Sequence, residues 1–339
     1  MAGVESTLTW TCYDATKLSA REIYGIVLSD LGGVRQDIVG LTADLAKSTQ
    51  IGAFGDKFPD RFFNFGIAEQ NMFGVAAGMA KVGLVPFVST FSVFASMRAC
   101  EFLRTDVCYQ NLNVKVIATH GGTSFGSAGT THHALEDISI VRAFANLTVI
   151  VPADGYETAA AVKKCLDIDG PVYIRIGRGF EPPVYKAEPE DFTIGKAVEM
   201  RPGTDITVIA CGPTVYHAVE AAEILERDDH LSVRVLNLHT IKPIDEEAIL
   251  KAVMDTRRIL TVEDHNIVGG MGSAVADVIA ASGKGCVFEK LGIPDVFTPH
   301  GYPEDLQHMF GIDADGIVDK VRAMMGREFE ADESWEDEI

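Results

Sequence analysis

Phe65-Gly66-Ile67-Ala68-Glu69-Gln70-Asn71-Met72 runs directly into Phe73-Gly74-Val75-Ala76-Ala77-Gly78-Met79-Ala80. The second stretch is rich in small residues and almost wholly apolar, too hydrophobic for a surface helix, so a packed helix is expected with Glu69 in its first turn. A carboxylate there complements the helix dipole. Carried into apolar surroundings, its charged form is disfavoured by desolvation, so it tends to hold a proton or share one with a partner. Cofactor chemistry uses groups of this kind.

Downstream, the run from Gly83 to Phe94 is β-rich and ends in two aromatics three residues apart, Phe91 and Phe94. Phenylalanines at that spacing serve as plain core or as a flat apolar wall. Val114-Lys115-Val116-Ile117-Ala118-Thr119 reads as a buried strand, and the glycine-rich stretch from His120 to His133 follows it. In open parallel sheets, ligands bind at the carboxyl ends of strands. The glycines suit close approach of backbone to ligand, although neither a Walker loop nor a dinucleotide fingerprint is present. Imidazole is a common zinc ligand, but no cysteine pair accompanies His120, His132 and His133.

A second strand end, Tyr173-Ile174-Arg175-Ile176-Gly177-Arg178-Gly179, sets two arginines beside glycines. A guanidinium fork suits a phosphate or sulfonate; the plainer alternative is a solvated salt bridge.

Strand and helix patterns alternate throughout the 339 residues, as expected of two parallel-sheet α/β domains. We expect a first domain over 1–185, a linker over 186–191 approached through Glu181-Pro182-Pro183, a second domain over 192–327 and an acidic tail over 328–339. In the second domain, Asp205–Gly212, Ser232–Leu238 and Arg258–His265 read as strands, and Val215 to about Arg227 as an amphipathic helix. Gly269-Gly270-Met271-Gly272 lacks the spacing and distal acid of a Rossmann fingerprint, so tight strand-to-helix packing is the better reading.

Six cysteines lie scattered without a Cys-x-x-Cys pair, which implies buried thiols in a reducing compartment. The amino terminus has no signal-peptide pattern and no segment approaches a membrane span, so a cytoplasmic location is expected. A net charge of −20 opposes nonspecific binding to nucleic acid and anionic membranes. Much of that charge lies in the tail, where Phe329 and Trp335 interrupt a run of acids; a solvated tail is expected, with docking on a basic surface as the alternative.

Taken together, these stretches resemble the transketolase family of thiamine-diphosphate enzymes, in the half carrying the pyrimidine-binding and Rossmann-like C-terminal domains, over nearly the whole chain. The resemblance implies that Glu69 hydrogen-bonds N1′ of the cofactor's aminopyrimidine and promotes the tautomer that deprotonates the thiazolium. It implies that Phe91 and Phe94 pack on the pyrimidine and that Asp44 lies near the cofactor. His120 and His132 are assigned to substrate hydroxyl and carbonyl contacts and proton transfer, and Ser48 and Arg178 to the substrate's anionic group. A further basic group falls on Lys17 or Arg21. The C-terminal domain is expected mainly to support dimerisation, with His265 a candidate for the site mouth.

The chain departs from the family pattern in two places. Ala128 stands where these enzymes usually carry an aspartate that recognises a sugar hydroxyl, which puts ordinary pentose-phosphate specificity in question and admits a branched or sulfonated sugar. No Gly-Asp-Gly occurs, so the diphosphate and its Mg²⁺ or Ca²⁺ are expected on a separate N-terminal subunit, in a heterotetramer. The function implied is ketol transfer from an anionic ketose to an aldose. The alternatives are a 2-oxo-acid dehydrogenase β subunit, a 1-deoxy-xylulose-phosphate-synthase-like enzyme and a non-catalytic regulatory subunit.

Overall fold

The computed structural model describes residues 10–179 and 181–327, so the acidic stretch 328–339 lies outside the described residues. The strands are β1 (Ile38–Thr42), β2 (Phe62–Asn64), β3 (Val85–Phe91), β4 (Lys115–Thr119), β5 (Thr148–Ile150) and β6 (Val172–Arg175), then β7 (Val198–Arg201), β8 (Ile206–Ala210), β9 (Val233–Asn237), β10 (Thr240–Lys242), β11 (Arg258–Asn266) and β12 (Val287–Ile293). They form a seven-stranded sheet in the order β10-β5-β6-β4-β3-β1-β2 and a five-stranded sheet in the order β12-β11-β8-β9-β7.

The expected two α/β units are present. Every residue of β1, β3, β4 and β6 is buried, as in parallel strands covered by helices on both faces. Each sheet also takes an antiparallel edge strand that periodicity did not reveal, β10 beside β5 and β7 beside β9. β10 is three residues long and comes from the second half of the chain, too short to carry a pattern of its own.

Local chemistry sets the elements that position the site. Helix Ala20–Val34 starts at Ser19, whose hydroxyl and backbone N–H form a reciprocal capping box with Glu22. Its apolar face buries Ile23, Tyr24, Val27 and Leu28. Helix Glu69–Lys81 starts where expected and buries Met72, Phe73, Ala76 and Ala77. The helix is packed on one face as expected and open on the other, where Gln70, Asn71 and Gly78 are exposed. Those residues present little apolar area, so leaving them in solvent costs little.

One hydrophobic core runs from Leu41, Val88 and Val116 of the first sheet to Ile209, Leu236 and Ile259 of the second unit. Buried Glu157 joins the two units and the connecting segment, accepting hydrogen bonds from Ala153 N at 2.6 Å, Asn237 Nδ2 at 2.8 Å and Tyr185 Oη at 2.9 Å. The second-unit glycine cluster packs as expected. Glu263 accepts from the N–H groups of Met271 (2.7 Å) and Gly272 (2.8 Å), filling the helix N-terminus that a nucleotide phosphate would need. Among the described residues, no helix is long and apolar enough to cross a membrane.

Candidate active site

Glu69 is 1% exposed. Its Oε1 pairs with Arg98 Nη1 at 2.7 Å, while Oε2 is buried with no hydrogen-bond partner among the described residues. The partner is therefore a guanidinium, which supplies charge compensation and no proton to share. Arg98 ends the π-helical turn Phe94–Arg98, and its guanidinium lies 4.0 Å over the Phe94 ring. π turns are rare and concentrate at functional sites. Sequence reading missed Arg98 because nothing in Ala95-Ser96-Met97-Arg98 marks a turn that brings its guanidinium back over Phe94.

Phe91, the last residue of β3, stacks on Phe94 with ring centroids 5.5 Å apart and 22° between planes. The wall is larger than expected. Phe125 meets Phe91 edge-on at 5.6 Å, and both predicted histidines join, His120 at 3.8 Å from Phe91 and His132 at 5.6 Å from Phe94. Phe125 lay in the glycine-rich stretch, and its only sequence signal was an aromatic among glycines.

His120 follows β4 in the left-handed region, φ 62°, and bonds Thr119 Oγ1 through Nδ1 at 2.8 Å. Burial pushes its pKa down to about 2, with the Arg21 and Arg178 guanidinia adding repulsion, so it acts as a neutral imidazole. His132 is half-buried and bonds Thr131 Oγ1 at 2.9 Å. His133 is buried away from this cluster, between Thr298 Oγ1 (2.6 Å) and Gly126 O (3.2 Å). Ala128 sits half-buried in the short turn Gly126–Ala128.

At the other end, Arg21 lies near Arg178, and Lys17 does not join them. Lys17 points into solvent with its side chain 78% exposed and pairs with Asp14. Arg21 Nη1 donates to the Ser48 carbonyl, and its Nε is buried without a partner among the described residues. Burial and then the nearby Arg178 guanidinium lower the Arg21 pKa. Two cations held together in this way are relieved by an anion. The Arg178 guanidinium lies 4.8 Å from the Phe125 ring centroid. Arg175 takes no part in this end. It is buried against Asp137 at 2.9 Å and donates to the carbonyls of Ala134 and Asp264, a structural ion pair rather than the solvated one considered for it.

Asp44 is exposed at φ 59°, with its N–H bonded to Asn64 Oδ1 at 3.0 Å. The same oxygen accepts from Gly66 N at 3.0 Å, so Asn64 ties the Asp44 turn to the entry of the Glu69 helix. His265, expected near the site mouth, is fully buried and bonds the Asn266 carbonyl instead.

Contacts thus link Glu69 through Arg98, Phe94, Phe91 and His120 to Phe125 and Arg178. An orphaned carboxylate oxygen marks one end and two guanidinia the other. An aminopyrimidine offers the hydrogen-bond partner Glu69 lacks and a flat face for the aromatic wall, so the residues present fit thiamine diphosphate.

Residues 16–181 match the model of the transketolase pyrimidine-binding domain, and residues 195–317 that of the transketolase C-terminal domain. The chain is 43% identical over 309 residues to a Methanocaldococcus jannaschii protein described as a transketolase C-terminal section, covering 91% of this chain and 96% of that one. The chain belongs to the transketolase family. It is also 38% identical over 300 residues to one of the subunits of an apulose-4-phosphate transketolase from Phocaeicola vulgatus, covering 88% of this chain and 95% of the relative. Among solved structures, a split-gene transketolase described as an inactive β4 tetramer superposes with a TM-score of 0.82 at 41% identity, covering 91% of this chain and 98% of that one. These relatives are described as a C-terminal section, a subunit and a split-gene transketolase, and this chain spans nearly their full length.

Proposed function

We propose that this chain is the C-terminal subunit of a two-subunit thiamine-diphosphate-dependent transketolase, moving a two-carbon ketol unit from an anionic ketose to an aldose acceptor. The observation that carries this reading is the buried, unpartnered Oε2 of Glu69 beside an aromatic wall that leads to paired arginines.

When bound, thiamine diphosphate would supply the nucleophilic carbon that ketol transfer requires. Glu69 would present its free Oε2 to the pyrimidine, while Arg98 keeps the carboxylate in place. Phe91 and Phe94 present the ring face, and Asp44 lies on the cofactor side. His120, neutral and fixed by Thr119, gives a hydrogen bond to substrate oxygen, and His132 moves protons at the reacting carbonyl and hydroxyl. Arg21, Ser48 and Arg178 hold the anionic group, and Ala128 leaves the hydroxyl-reading position without a polar group. The diphosphate and its Mg²⁺ or Ca²⁺ are assigned to an N-terminal partner chain, because this sequence carries no Gly-Asp-Gly. Family symmetry points to a heterotetramer, and the free cysteines to the cytoplasm.

The test is a coupled ketol-transfer assay of this chain with its partner subunit, thiamine diphosphate and Mg²⁺, over phosphorylated and sulfonated ketose donors. Turnover is expected only with both subunits. Glu69→Ala should lower kcat by about 10²–10⁴-fold, the range for a lost general acid–base group, while assembly is retained. Unchanged turnover would remove the cofactor assignment, and decarboxylation of 2-oxo acids without ketol transfer would move the chain to oxo-acid chemistry.

A further inference from the structure

The glycine-rich loop that carries Ala128 and His132 rests on the C-terminal unit at two points. At the first, Thr123 donates from its N–H to both carboxylate oxygens of Asp264, at 3.1 and 2.9 Å, and from its hydroxyl at 3.1 Å. Gly122 is required beside it, since a Cβ there would lie 2.1 Å from Asp264 Oδ2.

At the second point the Gly126 carbonyl receives three donors: Gly129 N, Gly301 N and His133 Nε2, each at 3.2 Å. Facing a carbonyl, Nε2 must carry the proton. Nδ1 of the neutral ring is then an acceptor, and the Thr298 hydroxyl donates to it at 2.6 Å. Thr298 is 3% and His133 2% exposed, so neither bond is readily replaced by water. A Cβ on Gly126 would lie 2.3 Å from the Gly301 carbonyl oxygen, so loop and C-terminal segment touch backbone to backbone. Within the loop, His132 N and His133 N both donate to Gly129 O, at 2.9 and 3.3 Å, so the turn from Gly126 to Gly129 and the two histidines form one hydrogen-bonded unit.

We propose that Thr298 of the C-terminal unit is a positioning residue for the substrate loop: its hydroxyl fixes the His133 ring, which with Gly301 holds the Gly126 carbonyl and thereby places Ala128 and His132 against the substrate. The C-terminal unit then sets substrate-loop geometry beyond its expected support of dimerisation. His133, a bystander by motif, is the link between the units. The kinetic part of this inference rests on the ketol-transfer reading, and the structural part does not.

The test compares Thr298→Val, which removes the hydroxyl at nearly constant volume, with Thr298→Ser, which keeps it. With the partner subunit and saturating cofactor, Thr298→Val should raise KM for the ketose donor roughly three- to tenfold, about the worth of one buried hydrogen bond, with kcat changing less. Thr298→Ser should recover KM to within about twofold. A fall in melting temperature and active fraction with KM unchanged, or a serine variant no better than valine, would overturn the proposal. Amide exchange across residues 121–133 separates the two readings. It should quicken in Thr298→Val and recover in Thr298→Ser even if the wild-type pair shows no ketol transfer, in which case the functional reading fails and the clamp stands. Unchanged exchange with unchanged KM sinks the clamp.

Discussion

At the scale of single residues, Glu69 and Arg21 are alike. Each makes one bond inside the chain and keeps one buried polar atom unpaired, Oε2 and Nε. A buried polar atom without a partner costs about 1–3 kcal/mol. That cost is recovered when a ligand supplies the missing bond, and in the proposed site one such atom lies at each end. Arg21 and Lys17 lie four residues apart, and motif alignment fits either. Arg21→Met should raise KM for a phosphorylated donor by about 10- to 100-fold, in line with the loss of a charge-assisted hydrogen bond, and Lys17→Met should leave KM within twofold. Steady-state kinetics with both variants checks this, and a larger effect for Lys17→Met than for Arg21→Met would return the choice to Lys17.

At the scale of elements, helix Glu69–Lys81 has two jobs. One face builds the core and delivers Glu69, while the face bearing Gln70, Asn71 and Gly78 is open in the single chain. If the diphosphate half of the cofactor is on a partner, the helix that carries Glu69 lies beside the interface with that partner. A Cβ on Gly78 would meet nothing within 4 Å among the described residues. Gly78→Leu should therefore leave the isolated chain as stable or up to about 1 kcal/mol more stable, through helix propensity. Assembly with the partner, read by light scattering, should be lost. Normal assembly would place the contact on another face.

At the scale of the whole molecule, buried titratable groups tie stability to pH. His120 is 1% exposed, and its pKa falls from the ordinary 6.5 to about 2. Below pH 6.5 the unfolded chain binds a proton that the folded chain does not, so this residue's contribution is intact above pH 6.5 and shrinks on acidification, by about 1.4 kcal/mol per pH unit. Glu157, raised to about 7 mainly by burial, works in the opposite sense, its share of stability declining as pH rises from 4.5 to 7. Denaturant titrations between pH 4 and 6 should show that His120→Gln flattens the slope by close to one proton relative to wild type. An identical slope would mean that the ring is accessible to protons in the folded state.

Legible in the residues alone were the α/β architecture, the helix that starts at Glu69, the Phe91–Phe94 pair and the two strands after which His120 and Arg178 stand. These are local matters of hydrophobic period, turn chemistry and the direction a strand points its last residue. Ala128 and the missing Gly-Asp-Gly were equally plain, because substitution and absence are visible without coordinates. Folding was needed to pair Arg98 with Glu69, bring Phe125 into the wall, set Arg21 near Arg178, bury Arg175 and His265, and join His133 to Thr298. Each depends on contacts across packed elements or on a backbone turn of uncommon geometry. His133 and Thr298 are 165 positions apart, and no period or spacing records such a meeting.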